Sequence, residues 1–314
     1  MQIAERVHSL AQEQNNPALI IGAYRAFACT LFLLGDFETT RRYAMRGVQL
    51  WRSSSVQSPV EELHAPAVLC LCWEALSEWH IGEIALCQAT MTQAISLAKE
   101  LNDTNALTMT QAISLAKELN DTNALALALW LAGFLAHFER NPVEVDRLAS
   151  DLIELSTRQD FALWVAAGDF LRGWARSASG APAEGISWIV DGTEDWRATG
   201  SKLCVPYWLA LKAEALHLAE RTSEALDAIT EAEVLAERFG ERWWCGEMHR
   251  LHGVFLTALG IEEAQIDASF SEAIRIAKEQ KSVSLEKRAE ATYAEYRRQK
   301  ASGSGERGFR LALW

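Results

Sequence analysis

Apolar residues recur at three- and four-residue steps along almost the whole chain, and no run alternates with the two-residue period of a strand. Within 223–239, Ala225, Leu226, Ile229, Ala232 and Leu235 mark one apolar face, with charged residues between them. Short turn signals separate such stretches: Gly35-Asp36, Gly82-Glu83, Arg140-Asn141-Pro142, Gly180-Ala181-Pro182, Arg221-Thr222-Ser223 and Gly260-Ile261. Several place Pro or a small polar residue at a helix start, where the orphan backbone N–H groups need a cap or a residue without one. The pattern predicts an all-α chain.

The spacing of these turns adds an architecture. From Asn141 to Ala181, to Arg221 and to Ile261 the step is 40 residues each time, and each period holds two amphipathic helices. A helical hairpin cannot bury its apolar face alone, so such a period predicts stacked neighbours sharing one core. The expected fold is a right-handed solenoid of about six hairpins over residues 1–300. Ala225 and Ala273 stand where helices approach closely.

One irregularity has a visible cause. Residues 90–107 read TMTQAISLAKELNDTNAL, and 108–125 repeat them without a change. Between Gly82 and Asn141 the step is 59, and setting one 18-residue copy aside leaves 41. Eighteen residues are five helical turns, so the apolar face keeps its phase through the repeat. The extra copy can lengthen one helix by about 27 Å, add a third helix, or loop out beside a seated copy. Asn102-Asp103-Thr104 and Asn120-Asp121-Thr122 compete with helix for backbone bonds, so a helix break is expected at each. A third helix would reverse the chain direction in the stack, which opposes that expectation. An inserted helix could also be exchanged between chains, making self-association a candidate property. A recent duplication and deliberate engineering explain 18 identical residues equally well.

Segments such as FLRGWARSASG, DWRATGSKLCVPYWLALKAEALHLAERTSEALDAI and GERWWCGEMHRLHGVFLTALG carry a family resemblance, as do SFSEAIRIAKEQKSVSLEKRAE and the earlier ALIIGAYRAFACTLFLLGDFETTRRYAMRGVQLW. Together they resemble the tetratricopeptide-like C-terminal repeat region of bacterial multidomain proteins, in which an adenylate or guanylate cyclase domain, often with a P-loop ATPase module, comes first. The resemblance implies a regulatory or binding role. It implies no activity for this stretch, because there is no G-x-x-x-x-G-K-[ST] loop and no pair of metal-binding aspartates on a strand-rich core.

Composition narrows the partners. Hydrophobic residues make up 49% and charged residues 23%, a globular balance. Thirty Lys and Arg against 42 Asp and Glu give a net charge of -12, which argues against nucleic acid. The longest uncharged apolar run, 124–136, is too short to cross a bilayer. The N-terminus has no apolar core of a secretory signal, so a cytoplasmic location is expected. Six cysteines, Cys29, Cys70, Cys72, Cys87, Cys204 and Cys245, sit inside apolar helical patterns and are expected as buried thiols.

Candidate chemistry is thin. Gly303-Ser304-Gly305-Glu306-Arg307-Gly308 matches G-x-G-x-x-G but lacks the flanking strand and helix. Cys245, His249 and His252 share a helical face with Glu247 nearby, yet no fourth metal ligand is evident. Glu61-Glu62 and Glu262-Glu263 read as helix starts, where carboxylates favour the positive end of the dipole. No catalytic, cofactor or metal residue is assigned, and no enzyme is expected.

The aromatic residues are the best lead. Among 12 tryptophans, Trp73, Trp79, Trp130, Trp164, Trp174, Trp208, Trp243 and Trp244 fall mostly on one helix of each hairpin, the one that lines the concave surface of a solenoid. Most are expected to pack. A minority is expected to face a groove, with Trp130, Trp164, Arg172, Trp208, Lys212 and Trp243 as candidates for holding a protein or peptide partner. The tail 301–314 carries Phe309, Leu311, Leu313 and Trp314 after a Gly/Ser linker, the composition of a docking peptide. Two further readings stand beside peptide recognition: a small-molecule-sensing repeat domain, favoured by a deep pocket among the indoles, and a scaffold built on the duplicated helix.

Overall fold

The computed structural model describes residues 2–13, 16–54, 61–105 and 113–302. Among these residues every regular element is an α-helix: α1 (Gln2–Glu13), α2 (Pro17–Leu33), α3 (Phe37–Ser54), α4 (Glu61–Ile81), α5 (Ile84–Asn105), α6 (Ile113–Phe138), α7 (Pro142–Arg158), α8 (Ala162–Ala178), α9 (Pro182–Ala198), α10 (Val205–Leu218), α11 (Thr222–Phe239), α12 (Cys245–Ala258), α13 (Glu263–Glu279) and α14 (Val283–Ala301). None of them is long and apolar enough to cross a membrane.

The turn residues act as the spacing predicts. Pro17, Pro142 and Pro182 each open a helix, and Asn16 and Asn141 accept hydrogen bonds from the first-turn amides that follow them. α2, α4, α6, α8, α10 and α12 each end in a left-handed residue: Gly35, Gly82, Arg140, Gly180, Glu220 and Gly260. At each, that residue's N–H reaches back three residues and the next N–H reaches back five, closing a Schellman cap. The last four fall 40 residues apart. Gly82 precedes Arg140 by 58, which is one period plus the duplicated 18.

The duplication does not break the helices where expected. α5 runs through Asn102-Asp103-Thr104 and α6 runs through Asn120-Asp121-Thr122. Each copy extends one arm of an existing hairpin, so no third helix arises among the described residues and the up-down order survives. Asn, Asp and Thr each cost only a few tenths of a kcal/mol in an established helix, and both helices are already anchored by buried turns: Met91, Ala94, Leu97 and Ala98 on α5, and the run from Ala124 on α6. Local propensity loses to tertiary anchoring.

Two layers of helices result. α2, α4, α6, α8, α10, α12 and α14 each pack on the next, forming an inner layer, whereas α3, α5, α7, α9, α11 and α13 touch only helices of that layer. The outer helices carry a single buried stripe, and the inner ones are buried on most faces. Closest approach occurs between α8 and α9, where a Cβ on Gly185 would stand 2.2 Å from the Gly173 carbonyl oxygen. Ala225 and Ala273 are fully buried, as their placement at close contacts requires.

The inner layer also closes on itself. α14 packs against both α12 and α4. The Leu33 carbonyl accepts the Arg242 and Trp243 amides at 2.7 and 3.3 Å, and Gln280 donates to the Arg242 carbonyl at 2.7 Å. Nearby, His80 Nδ1 lies 2.8 Å from Ser282 Oγ and Lys281 pairs with Glu38 at 2.6 Å. The last hairpin therefore seals the first.

Candidate functional site

Closure turns the concave surface inward, and its aromatic residues fill most of the space. Trp208 stacks on Phe170 at 4.3 Å, Trp243 on Phe134 at 5.5 Å, and Trp244 on Phe138 at 4.6 Å. Trp174, Trp196, Trp243 and Trp244 are among the most completely buried side chains of the described residues.

The filling is not complete. A cavity of about 360 Å³ lies across the closing seam. α2 gives it one face through Arg25, Ala26, Cys29, Thr30 and Leu33, a set at the helical repeat. Leu69 and Trp73 come from α4, and Leu127, Trp130 and Phe134 from α6. Trp164 of α8, Leu203 and Cys204 before α10, and Trp243 before α12 complete the wall. The volume falls in the range of small-molecule sites, which are mostly apolar with a few placed polar groups.

Those polar groups are few here. The indole of Trp164 donates to Asn123 Oδ1 at 2.8 Å, so the second copy of the duplicated segment holds part of the wall. Burial pushes the Cys29 thiol up to about 11 and the Cys204 thiol well above its usual value, so both line the cavity as neutral thiols rather than as nucleophiles. Behind Cys204, Glu241 accepts the Cys204 amide at 3.0 Å, and burial pushes its carboxyl up to about 7. Arg25 is the one charged side chain lining the cavity. It is exposed, and among the described residues it makes no ion pair.

One ring deeper lies a buried charge network. Arg140 bridges Glu214 and Glu247; Arg250 holds Glu247 through two nitrogens at 3.0 and 2.8 Å; Arg288 approaches Glu247 at 3.3 Å and donates to the Phe138 carbonyl. Burial disfavours both carboxylates as ions, but the facing cations outweigh it: Glu214 is held down at about 2 and Glu247 well below its usual range. Burial lowers His137 to about 4, and its Nδ1 lies 2.7 Å from the Tyr207 hydroxyl. With the Tyr207 proton itself held on by burial, that hydroxyl donates to the neutral imidazole. These groups are committed to one another. The chemistry they perform is to pin α6, α10, α12 and α14 together.

Of the residues singled out in the sequence, Trp130, Trp164 and Trp243 line the cavity, and Trp208 is core beside it. Arg172 instead lies over the Trp188 ring at 4.6 Å and near Asp146, away from the cavity. Lys212 is half-buried on α10 and does not line it. His249 and His252 both turn to Glu233, at 3.2 and 2.9 Å, and no group of three or more ligands that could hold a metal occurs among the described residues. Phe309, Leu311, Leu313, Trp314 and the glycine motif lie outside the described residues. The cavity's α2 face and the charge network were missed. A carboxylate inside an apolar run, such as Glu214 in YWLALKAEALHL, was the available signal for the network.

The chain matches no protein-family model. It is 23% identical over 288 residues to an uncharacterised protein of Rhizobium meliloti (strain 1021), an alignment covering 91% of this chain and 26% of that protein. The chain thus spans about a quarter of the length of the curated relative it matches.

Proposed function

We propose that this chain is a ligand-sensing helical-repeat module that takes a small apolar molecule into the seam cavity. The observation that carries the reading is the cavity's position. α2 forms one wall, and Leu203, Cys204 and Trp243 form the opposite one. A ligand touching both walls adds contacts only when the ring is closed, so binding favours closure by its differential affinity for that state. Peptide recognition on an exposed aromatic groove fits less well, because Trp130, Trp164, Trp208 and Trp243 are between 1% and 8% exposed.

A regulatory place inside a longer protein is consistent with the partial coverage of the relative. It is also what the resemblance to repeat regions of cyclase and ATPase multidomain proteins implies. In that setting ring closure would be the signal passed to a neighbouring domain.

The test is calorimetric titration of the full chain with small apolar molecules, beside an Ala26→Trp variant that fills the cavity mouth. Saturable binding in the parent and its loss in the folded variant support the reading. Binding that survives Ala26→Trp, or no binding in the parent, overturns it.

A further inference from the structure

Resting on the ligand-sensing reading, the chemistry of the cavity wall narrows what the ligand is. The wall has three kinds of surface: aromatic rings and aliphatic carbons over most of its area, two neutral thiols, and one guanidinium. Its acids lie elsewhere. Glu241 sits behind Cys204 and does not line the cavity, and its accepting oxygen is already taken by the Cys204 amide. The Thr30 hydroxyl is likewise spent on the Ala26 carbonyl at 2.9 Å.

Arg25 is therefore the only charged donor among the lining residues; beside it stands the neutral Trp130 indole N–H, which has no partner among the described residues. Exposed Arg42, Arg197 and Arg242 also make no ion pair among the described residues, but Arg25 alone of these lines the cavity. Arg147, Arg158, Arg221 and Arg275 each engage a carboxylate one helical turn away on their own helix, and Arg140, Arg250 and Arg288 are tied into the buried network. The chain also carries twelve more acids than bases, so an unpaired arginine at the mouth of an apolar pocket is not the product of a shortage of carboxylates. A planar guanidinium offers paired donors to a carboxylate, which an ammonium or amide ligand could not use.

We infer that the ligand is an amphipathic monocarboxylate, with an aromatic or alicyclic body among Trp73, Trp130, Phe134, Trp164 and Trp243 and its carboxylate at the mouth on Arg25. Size follows from the volume. At ~30 Å³ per non-hydrogen atom, the share of a water molecule in the liquid, the cavity holds a body of about a dozen such atoms. A cationic or zwitterionic ligand would bring an ammonium to the guanidinium and is disfavoured. A long-chain lipid exceeds the space.

A matched pair of probes tests the assignment: 4-phenylbutanoate and 4-phenylbutanamide, alike in shape and differing in charge. Both are titrated calorimetrically into the full chain at low and at high salt. The carboxylate is expected to bind about tenfold tighter than the amide at low salt, with the gap narrowing as salt screens the exposed guanidinium. Arg25→Gln should erase the gap while leaving amide affinity unchanged, and Arg25→Lys should keep part of it. Arg25 is exposed, so neither substitution threatens the fold. Equal affinity for the two probes in the parent, or a carboxylate preference that survives Arg25→Gln, overturns the carboxylate assignment and leaves the pocket reading standing. If neither probe binds the folded parent at millimolar concentration, the pocket reading falls with it.

Discussion

Among the described residues, five other than glycine hold a left-handed backbone: Arg140, Asp160, Cys204, Glu220 and Lys281. An L-residue there costs roughly 1–2 kcal/mol against a right-handed conformation, so each site asks what the side chain gives in return. At Glu220, exposed at the end of α10, no side-chain hydrogen bond among the described residues compensates for the strain. Glu220→Gly is expected to stabilise the chain by about 1 kcal/mol, read as a higher denaturation midpoint with unchanged slope. Arg140 occupies the matching position 80 residues earlier and should respond in the opposite sense, because its guanidinium bridges Glu214 and Glu247. Glu247→Gln makes the same point from the acid side. It leaves Arg140, Arg250 and Arg288 facing a neutral group in a buried site, at an expected cost of about 3–5 kcal/mol. A loss below 1 kcal/mol in chemical denaturation would mean that the network tolerates an unpaired cation. Glycines at the other turns could be placed from sequence because a cap is local. The role of Arg140 could not, since its partners lie 74 and 107 residues away.

At the scale of elements, the duplicated segment separates what a sequence shows from what it withholds. Its identity, its length of five turns and the period it interrupts are all legible. Its accommodation is not, because Asn102-Asp103-Thr104 reads as a helix stop on propensity alone while the decision belongs to the buried turns of α5 and α6. Since the copies are identical, removing either gives one and the same chain. In that chain a Thr-Asn-Ala-Leu segment still precedes Ala126, so an asparagine is retained where Asn123 receives the Trp164 indole. Deleting 108–125 is therefore expected to shorten α5 and α6 and to leave the cavity, the ring closure and the calorimetric response to ligand intact. A helical signal that falls by far more than 18 residues' worth, or lost ligand binding, would show that the extension has become part of the fold. The deletion also addresses the scaffold reading: an oligomer that dissociates on deletion supports it, and unchanged assembly speaks against it.

The whole molecule is a ring of inner helices locked at its centre by charge, and that arrangement sets how it responds to acid. Closure contacts join residues more than 200 positions apart, such as His80 with Ser282, so no periodicity in the sequence announces them. Their consequence appears in the titrating groups. Glu214 and Glu233 are held at about 2 in the fold against an ordinary value near 4.5, and Glu247 lies well below it. Each contributes stability that is present above pH 4.5 and lost as pH falls towards 2, on the order of 3 kcal/mol for the fully buried Glu214. Between pH 4.5 and 7 two opposing sets act. Glu74 and Glu241, raised to about 7 by burial, favour the lower pH, whereas His80 and His137, lowered by burial, favour the higher. The melting temperature is therefore expected to stay nearly level from pH 7 to pH 5 and to drop steeply below 4.5. The groups that protonate there join α6, α10, α11, α12 and α14, so the drop should be a single cooperative transition in which tryptophan emission and helical signal move together. Scanning calorimetry across that range checks it. A steady decline beginning at pH 6.5 would instead place the histidines, not the buried carboxylates, in control of the ring.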